Sequence, residues 1–302
     1  MTKEEVISLK ITRDDKNIII QDIKDFTLSQ TLECGQCFRY DKISEEDYII
    51  VAWKRMLHLR QENDTITFYN TSTEEYETIW KNYFDIDRDY GKIKEILKAD
   101  DENMTKAIAT QGGIRILNQE FNETLISFII SQNQQIVRIR QIIAALCEKY
   151  GEPLGEYEGK TYYSFPDTDV LANITEEGYR ECKAGFRAKY LCEAAKALQS
   201  GSVSGELLRQ MTREEAQEQL IGLKGVGKKV SDCTLLFGLG FREAFPVDVW
   251  VKRIMEELYF GRDVKKELIQ EFACEKFGKY GGYAQQYLFA YARENANKKS
   301  KT

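Results

Sequence analysis

The chain has 302 residues, with 43 Lys and Arg against 49 Asp and Glu, a formal net charge of −6 and a pI near 5.3. At 42% hydrophobic and 30% charged, with three prolines, it has the composition of a folded, helix-rich protein and not of a disordered one. No run approaches the roughly eighteen apolar residues of a membrane span, and the opening MTKEEVISLK lacks the apolar core of a signal peptide. A cytoplasmic location without membrane contact is expected, associated with the nucleoid in a prokaryote, and the length predicts two domains.

The first seventy residues alternate and favour β-formers: VISLKI, NIIIQ, CFRYD, DYIIVAW, RMLHLR and TITFYN, separated by polar turns such as TRDDKN and ENDT. That pattern predicts an antiparallel sheet. At Ser72 it changes, because Ser72 and Glu75 have capping-box spacing and open the helical run YETIWKNYF. Beyond it FNETLISFII, IVRIRQIIAALCEKY, KYLCEAAKALQ, REEAQEQLIG, VSDCTLLFGL, VDVWVKRIMEELY, VKKELIQEFACEKF and YAQQYLFAYAREN place apolar residues three and four apart, the period of helices. The fold class expected is α+β, a β-rich part over 1–115 followed by a helical part over 116–302. No internal repeat or low-complexity linker interrupts it.

Seven cysteines, at 34, 37, 147, 182, 192, 233 and 274, are odd in number and scattered, so they read as free thiols. Cys34-Gly-Gln-Cys37 is a lone CxxC with no second pair, and His58 is the only histidine, which argues against a zinc site, a triad or a histidine base. An enzyme built from this chain would use Lys, Asp or Glu as nucleophile or base, with no catalytic metal. The acidic pI alone argues against nucleic acid, but residues 222–253 carry six cations against three anions, and the last ten carry four against one.

The sharpest stretch is LIGLKGVGKKVSDCTLLFG, Leu220 to Gly238, with its hairpin inside about 212–238. Gly222, Gly225 and Gly227 stand between two helical runs, where glycine allows positive φ and lets backbone N–H groups approach a phosphate at the second helix's start. Gly225, Val226, Gly227 and Lys228 are the phosphate-binding candidates. A plain helix corner with a solvated basic end is the competing reading. Further on, Pro246 ends a helix, and Asp248 is placed to cap the next one and to be held rigidly there.

Helix, Leu-x-Gly-Val-Gly-x-Lys-Val, helix, then Pro-Val-Asp resembles the lysine-bearing bifunctional branch of the helix–hairpin–helix DNA glycosylase superfamily. Segments 82–90 (NYFDIDRDY), 113–117 (GIRIL), 128–139 (FIISQNQQIVRI), 184–190 (AGFRAKY) and 283–289 (YAQQYLF) resemble, in order, segments of 8-oxoguanine DNA glycosylases. The likeness runs from about residue 30 nearly to the end. It implies a TBP-like N-terminal β domain, a helical glycosylase domain, and double-stranded DNA containing oxidised guanine as partner; a monomer is the default expectation.

The resemblance also implies roles. Lys229 attacks the sugar C1′ to form a Schiff base, and since helix neighbours point about 100° apart, Lys228 faces elsewhere. Asp248 stabilises the sugar cation. The Gly35 carbonyl accepts the N7 hydrogen that distinguishes 8-oxoguanine from guanine, Gln285 reads the Watson–Crick edge, and Cys233 and Phe289 sandwich the ring; simple core packing is the alternative for the last two. Asn133 fills the gap left by the flipped nucleotide, Phe186 wedges beside it, and Arg138 and Arg187 hydrogen-bond the orphaned cytosine, or are merely solvated helix charges. No organic cofactor is implied, though the hairpin admits a monovalent cation.

Three departures stand out: Trp250 replaces a histidine, Phe186 a tyrosine, and Gln134 and Gln135 asparagines. No four-cysteine cluster near the C-terminus suggests the iron–sulfur branches, and Lys229 argues against the monofunctional ones. The competing functions are a monofunctional glycosylase for other damaged bases and a non-catalytic DNA-binding module.

Overall fold

The computed structural model describes residues 10–13 and 16–299, with side chains as far as 296. Residues 6–9 of the VISLKI strand, and Lys298, Lys299 and Lys301 of the basic C-terminal stretch, lie outside the residues whose side chains are described. The chain forms two compact units, one of residues 1–50, 57–118 and 249–302, the other of 51–56 and 119–248. The chain passes between the units at 118/119 and returns at 248/249, where the sequence has no compositional mark.

Six antiparallel strands, β1 Lys10–Arg13, β2 Ile18–Gln21, β3 Tyr40–Lys42, β4 Asp47–Ala52, β5 Arg55–Glu62 and β6 Thr65–Tyr69, lie in the order β1-β2-β6-β5-β4-β3, within the first unit except for residues 51, 52, 55 and 56 at the ends of β4 and β5. Their alternation puts Ile18, Ile20, Leu57, Leu59, Ile66 and Phe68 on the buried face. CFRYD contributes only its last two residues to β3, and the preceding Leu28–Glu33 is helical.

Ser72 Oγ caps its helix by accepting from Glu75 N at 3.1 Å, while the Glu75 carboxylate takes the Trp80 indole N–H at 3.0 Å. Phe26, Phe68, Tyr76 and Phe84 pack edge or tilt against one another beneath the sheet.

Two of the segments singled out by resemblance meet in this unit. Buried Arg115 donates to Asp85 O at 2.7 Å and Lys24 O at 3.1 Å and lies 4.5 Å over the Tyr90 ring, whose hydroxyl donates to Asp85 Oδ2 at 3.0 Å. Burial holds the Arg115 guanidinium below its ordinary range. The chain's last part is tied in through side chains too: Asn103 donates to Leu258 O at 2.9 Å, Gln111 to Glu294 at 2.7 Å, and Tyr259 OH to Asp101 at 3.0 Å.

The second unit is built round helix Phe121–Ile130, eight of whose ten residues are buried. A helix apolar on nearly every side needs neighbours all round, and helices Ala188–Gln199 and Lys228–Thr234 pack on it. One element went unforeseen, a hairpin of β7 Pro153–Tyr157 and β8 Lys160–Tyr163 whose turn residues Glu158 and Gly159 have φ of 48° and 79°. Positive φ at both turn residues is the signature of a two-residue hairpin loop. Among the described residues no helix is long and apolar enough to cross a membrane.

Candidate active site

In the second unit, helix Arg213–Ile221 begins with a full capping box, Thr212 with Glu215, and leads through the glycine turn into helix Lys228–Thr234. Gly225 has φ 85°, and a Cβ there would lie 2.4 Å from the Tyr190 ring, so both conformation and contact demand glycine. Gly227, by contrast, has φ −104° and open space where a Cβ would stand. Buried Asp232 braces the two hairpin helices by accepting from Gln217 Nε2 at 2.5 Å, with Arg213 3.9 Å away.

The two adjacent lysines part as helical geometry requires. Lys228 is exposed and Lys229 half-buried. Lys229 Nζ donates to Ser131 Oγ at 3.1 Å and stands 4.9 Å over the Phe128 ring. Because the Ser131 hydroxyl spends its hydrogen on Phe128 O at 2.7 Å, its lone pairs are turned to the amine. One turn along, Cys233 is hydrogen-bonded to Lys229; burial pushes its thiol up to about 12, against the pull of the Lys229 charge, while Asp232 and Asp248 push the same way as burial. Cys233 therefore senses both Lys229 and half-buried Asp248, and Asp248 immediately precedes helix Val249–Met255.

Ser131 also begins the turn that carries Asn133, an exposed residue at φ 52°. Asparagine tolerates that left-handed backbone better than most residues. The turn is held from the other side by Arg187, which is 3% exposed and donates to the carbonyls of Gln132, Asn133 and Ala184. Its guanidinium lies 4.3 Å over the ring of Phe186, itself 52% exposed. Arg138 stands apart on helix Ile136–Tyr150, donating to Gln141 Oε1 at 3.2 Å.

The first unit carries Gly35, Gln285 and Phe289. Gly35 has φ 84° in the loop after helix Leu28–Glu33, and the next residue anchors that loop: Gln36, fully buried, donates to Thr31 O and Arg115 O, each at 2.8 Å, and accepts from Leu117 N at 2.9 Å. Gln285 is buried on helix Gly281–Lys299, while half-exposed Phe289 lies one turn on beneath the Arg293 guanidinium. Trp250, where a histidine was the pattern, has the Arg253 guanidinium 5.7 Å over its ring.

Ser131, Phe128 and Gln36 were missed at the level of sequence, although each lies inside or beside a segment quoted for its resemblance. Cys34 and Cys37 are buried thiols, and among the described residues no group of three or more His, Cys, Asp or Glu side chains is arranged to hold a metal ion.

Residues 18–125 match the family described as 8-oxoguanine DNA glycosylase, N-terminal domain, and residues 126–279 match the HhH-GPD superfamily base excision DNA repair protein. The chain belongs to the HhH-GPD superfamily and, by its N-terminal domain, to the 8-oxoguanine DNA glycosylase family within it. The structure of a Clostridium acetobutylicum 8-oxoguanine glycosylase/lyase, in complex with double-stranded DNA containing cytosine opposite 8-oxoguanine, is 40% identical, covers 97% of this chain and 100% of that one, and superposes with a TM-score of 0.92.

A probable N-glycosylase/DNA lyase of Methanothermobacter thermautotrophicus is 31% identical over 74% of this chain and 76% of its own length. The N-glycosylase/DNA lyase of Saccharomyces cerevisiae is 29% identical over 88% and 83%.

Proposed function

We propose that this protein is a bifunctional glycosylase and abasic-site lyase that removes 8-oxoguanine from duplex DNA. The observation that supports it most is the half-buried Lys229 amine, set on Ser131 and Phe128 beside Cys233 while Lys228 is left to solvent. Only the neutral amine has the lone pair that attack on carbon requires.

Its lone pair then forms a bond to C1′ as the C1′–N9 bond breaks, and the departing base takes that electron pair and a proton. The sugar ring opens to a Schiff base, a proton leaves C2′, and the C3′–O bond breaks, nicking the strand; water releases the lysine. Asp248 stabilises the positive charge on the sugar. The lesion must leave the stack to be reached, and Asn133 and Phe186 fill and wedge the gap. Arg138 and Arg187 bond the cytosine, Arg187 by exchanging carbonyls that it now holds.

Gly35 O, Gln285, Cys233 and Phe289 are the residues we assign to the base, and Gly225, Val226, Gly227 and Lys228 those we assign to a phosphate. A monovalent cation at the hairpin would be held by backbone carbonyls. Leu223 O accepts the Val226 N–H at 3.0 Å, and a carbonyl's second lone pair leaves room for a cation. This substrate puts the protein with the chromosome, in the cytoplasm or nucleoid of a prokaryote.

Borohydride trapping on a duplex with 8-oxoguanine opposite cytosine tests the reading. An adduct lost in Lys229→Gln and kept in Lys228→Gln is expected. Base release without an adduct would mean a water nucleophile, and neither adduct nor release would overturn the substrate.

A further inference from the structure

Gln285 can read a base only if the correct end of its amide is presented, since one end accepts hydrogen bonds and the other donates them. Two neighbours in the first unit decide which. Gln286 Nε2 donates to Gln285 Oε1 at 2.7 Å. The Cys34 thiol in turn donates towards Gln286 Oε1 at 3.4 Å, and towards Thr31 O at 3.2 Å. Cys34, Gln285 and Gln286 are 6%, 4% and 3% exposed, so their polar atoms have little water to turn to.

The chain of bonds has a direction. Burial pushes the Cys34 thiol up to about 11, so it stays protonated, a donor and not an acceptor, at neutral pH. A donor there holds the carbonyl end of Gln286 towards Cys34, which turns the Gln286 NH2 towards Gln285. Facing an NH2, Gln285 offers its own carbonyl, and its Nε2 is the end left to donate elsewhere.

We propose that Gln286 and Cys34 are positioning residues that set the Gln285 amide, so that Nε2 donates to a carbonyl on the base edge and the second lone pair of Oε1 receives a ring N–H. The inference rests on Gln285 as the reader of the base. It also gives the CxxC stretch a use that requires neither metal nor disulfide: the first thiol is the end stop of a hydrogen-bond relay.

Gln286→Glu tests the direction, because it removes the NH2 that Gln285 Oε1 faces, and where the carboxyl is ionised it only accepts and would draw Gln285 Nε2 to itself, reversing the reader. The proposal expects excision of 8-oxoguanine to fall about 10- to 100-fold, the range of one buried hydrogen bond left unmade. Cleavage of a duplex carrying a ready-made abasic site, where there is no base to read, is expected to stay within about twofold by the same reasoning. Cys34→Ala should lose part of the excision rate, and Cys34→Ser, which restores a donor, should regain it.

Parental excision by Gln286→Glu, alongside a loss in Gln285→Ala, would overturn the relay but leave the reader standing. Parental excision by Gln285→Ala would remove the reader and the relay with it. An equal fall of excision and abasic-site cleavage in Gln286→Glu would make the residue a support of the fold, against the proposal.

Discussion

Lys228 and Lys229 are chemically identical and adjacent, yet one is exposed and the other is set between a hydroxyl, a thiol and a ring. That the two would face different surroundings was legible from sequence, because helix neighbours point about 100° apart. Ser131 and Phe128 were not legible in this role: they come from a helix end nearly a hundred residues earlier, and only packing brings them under the amine.

The thiol beside it makes a measurable prediction. Cys233 ionises near 9 in an unfolded chain and at about 12 in the native one. Between those values unfolding releases a proton that the folded state keeps, so the stability is intact below about pH 9 and declines as pH rises towards 12. Cys34, pushed up to about 11, acts in the same direction. Urea denaturation at successive alkaline steps should give Cys233→Ala a shallower decline than the parent; identical slopes would assign the loss to other groups.

At the scale of elements, the hairpin's two inner glycines separate folding from binding. Gly225 needs its positive φ and its contact with Tyr190, so Gly225→Ala is expected to lose about 1–3 kcal/mol of stability. Gly227 has ordinary φ and open space above it. Gly227→Ala should therefore melt like the parent but bind duplex DNA more weakly, since a methyl group would stand where we propose that a phosphate approaches. Thermal melting and a salt-controlled binding titration of both variants check this, and a large loss of melting temperature in Gly227→Ala would contradict it.

The glycines and the helical period of REEAQEQLIG and FNETLISFII are strong local signals, which is why this region was readable, although its Thr212 capping box went unread. The β7–β8 hairpin was not, because its strands are short, largely exposed and lie between long helical runs. Glu158-Gly159 was its one local clue.

Across the whole molecule, the antiparallel sheet followed by helices was legible from the change of period at Ser72. The composition of the compact units was not, because nothing local in 249–302 announces that these helices share a unit with the sheet. Long-range contacts decide it, and Arg115 shows their weight: one guanidinium gathers Lys24, Asp85 and Tyr90. Arg115→Ala would leave buried carbonyls unpaired, at about 3 kcal/mol or more. Chemical denaturation should register that loss, and a change below about 1 kcal/mol would be at odds with a buried, structure-bearing arginine.

The interrupted first unit also sets an order of assembly during synthesis. Residues 119–248 reach the ribosome exit as one stretch and can pack round their central helix at once, whereas the sheet must wait for 249–302 before its unit is complete. A nascent or prematurely ended chain would thus hold Lys229 and Asp248 while still lacking Gln285 and Phe289. On the roles proposed above, chemistry would be assembled before discrimination, and helix Gly281–Lys299 would be the element that makes the enzyme selective.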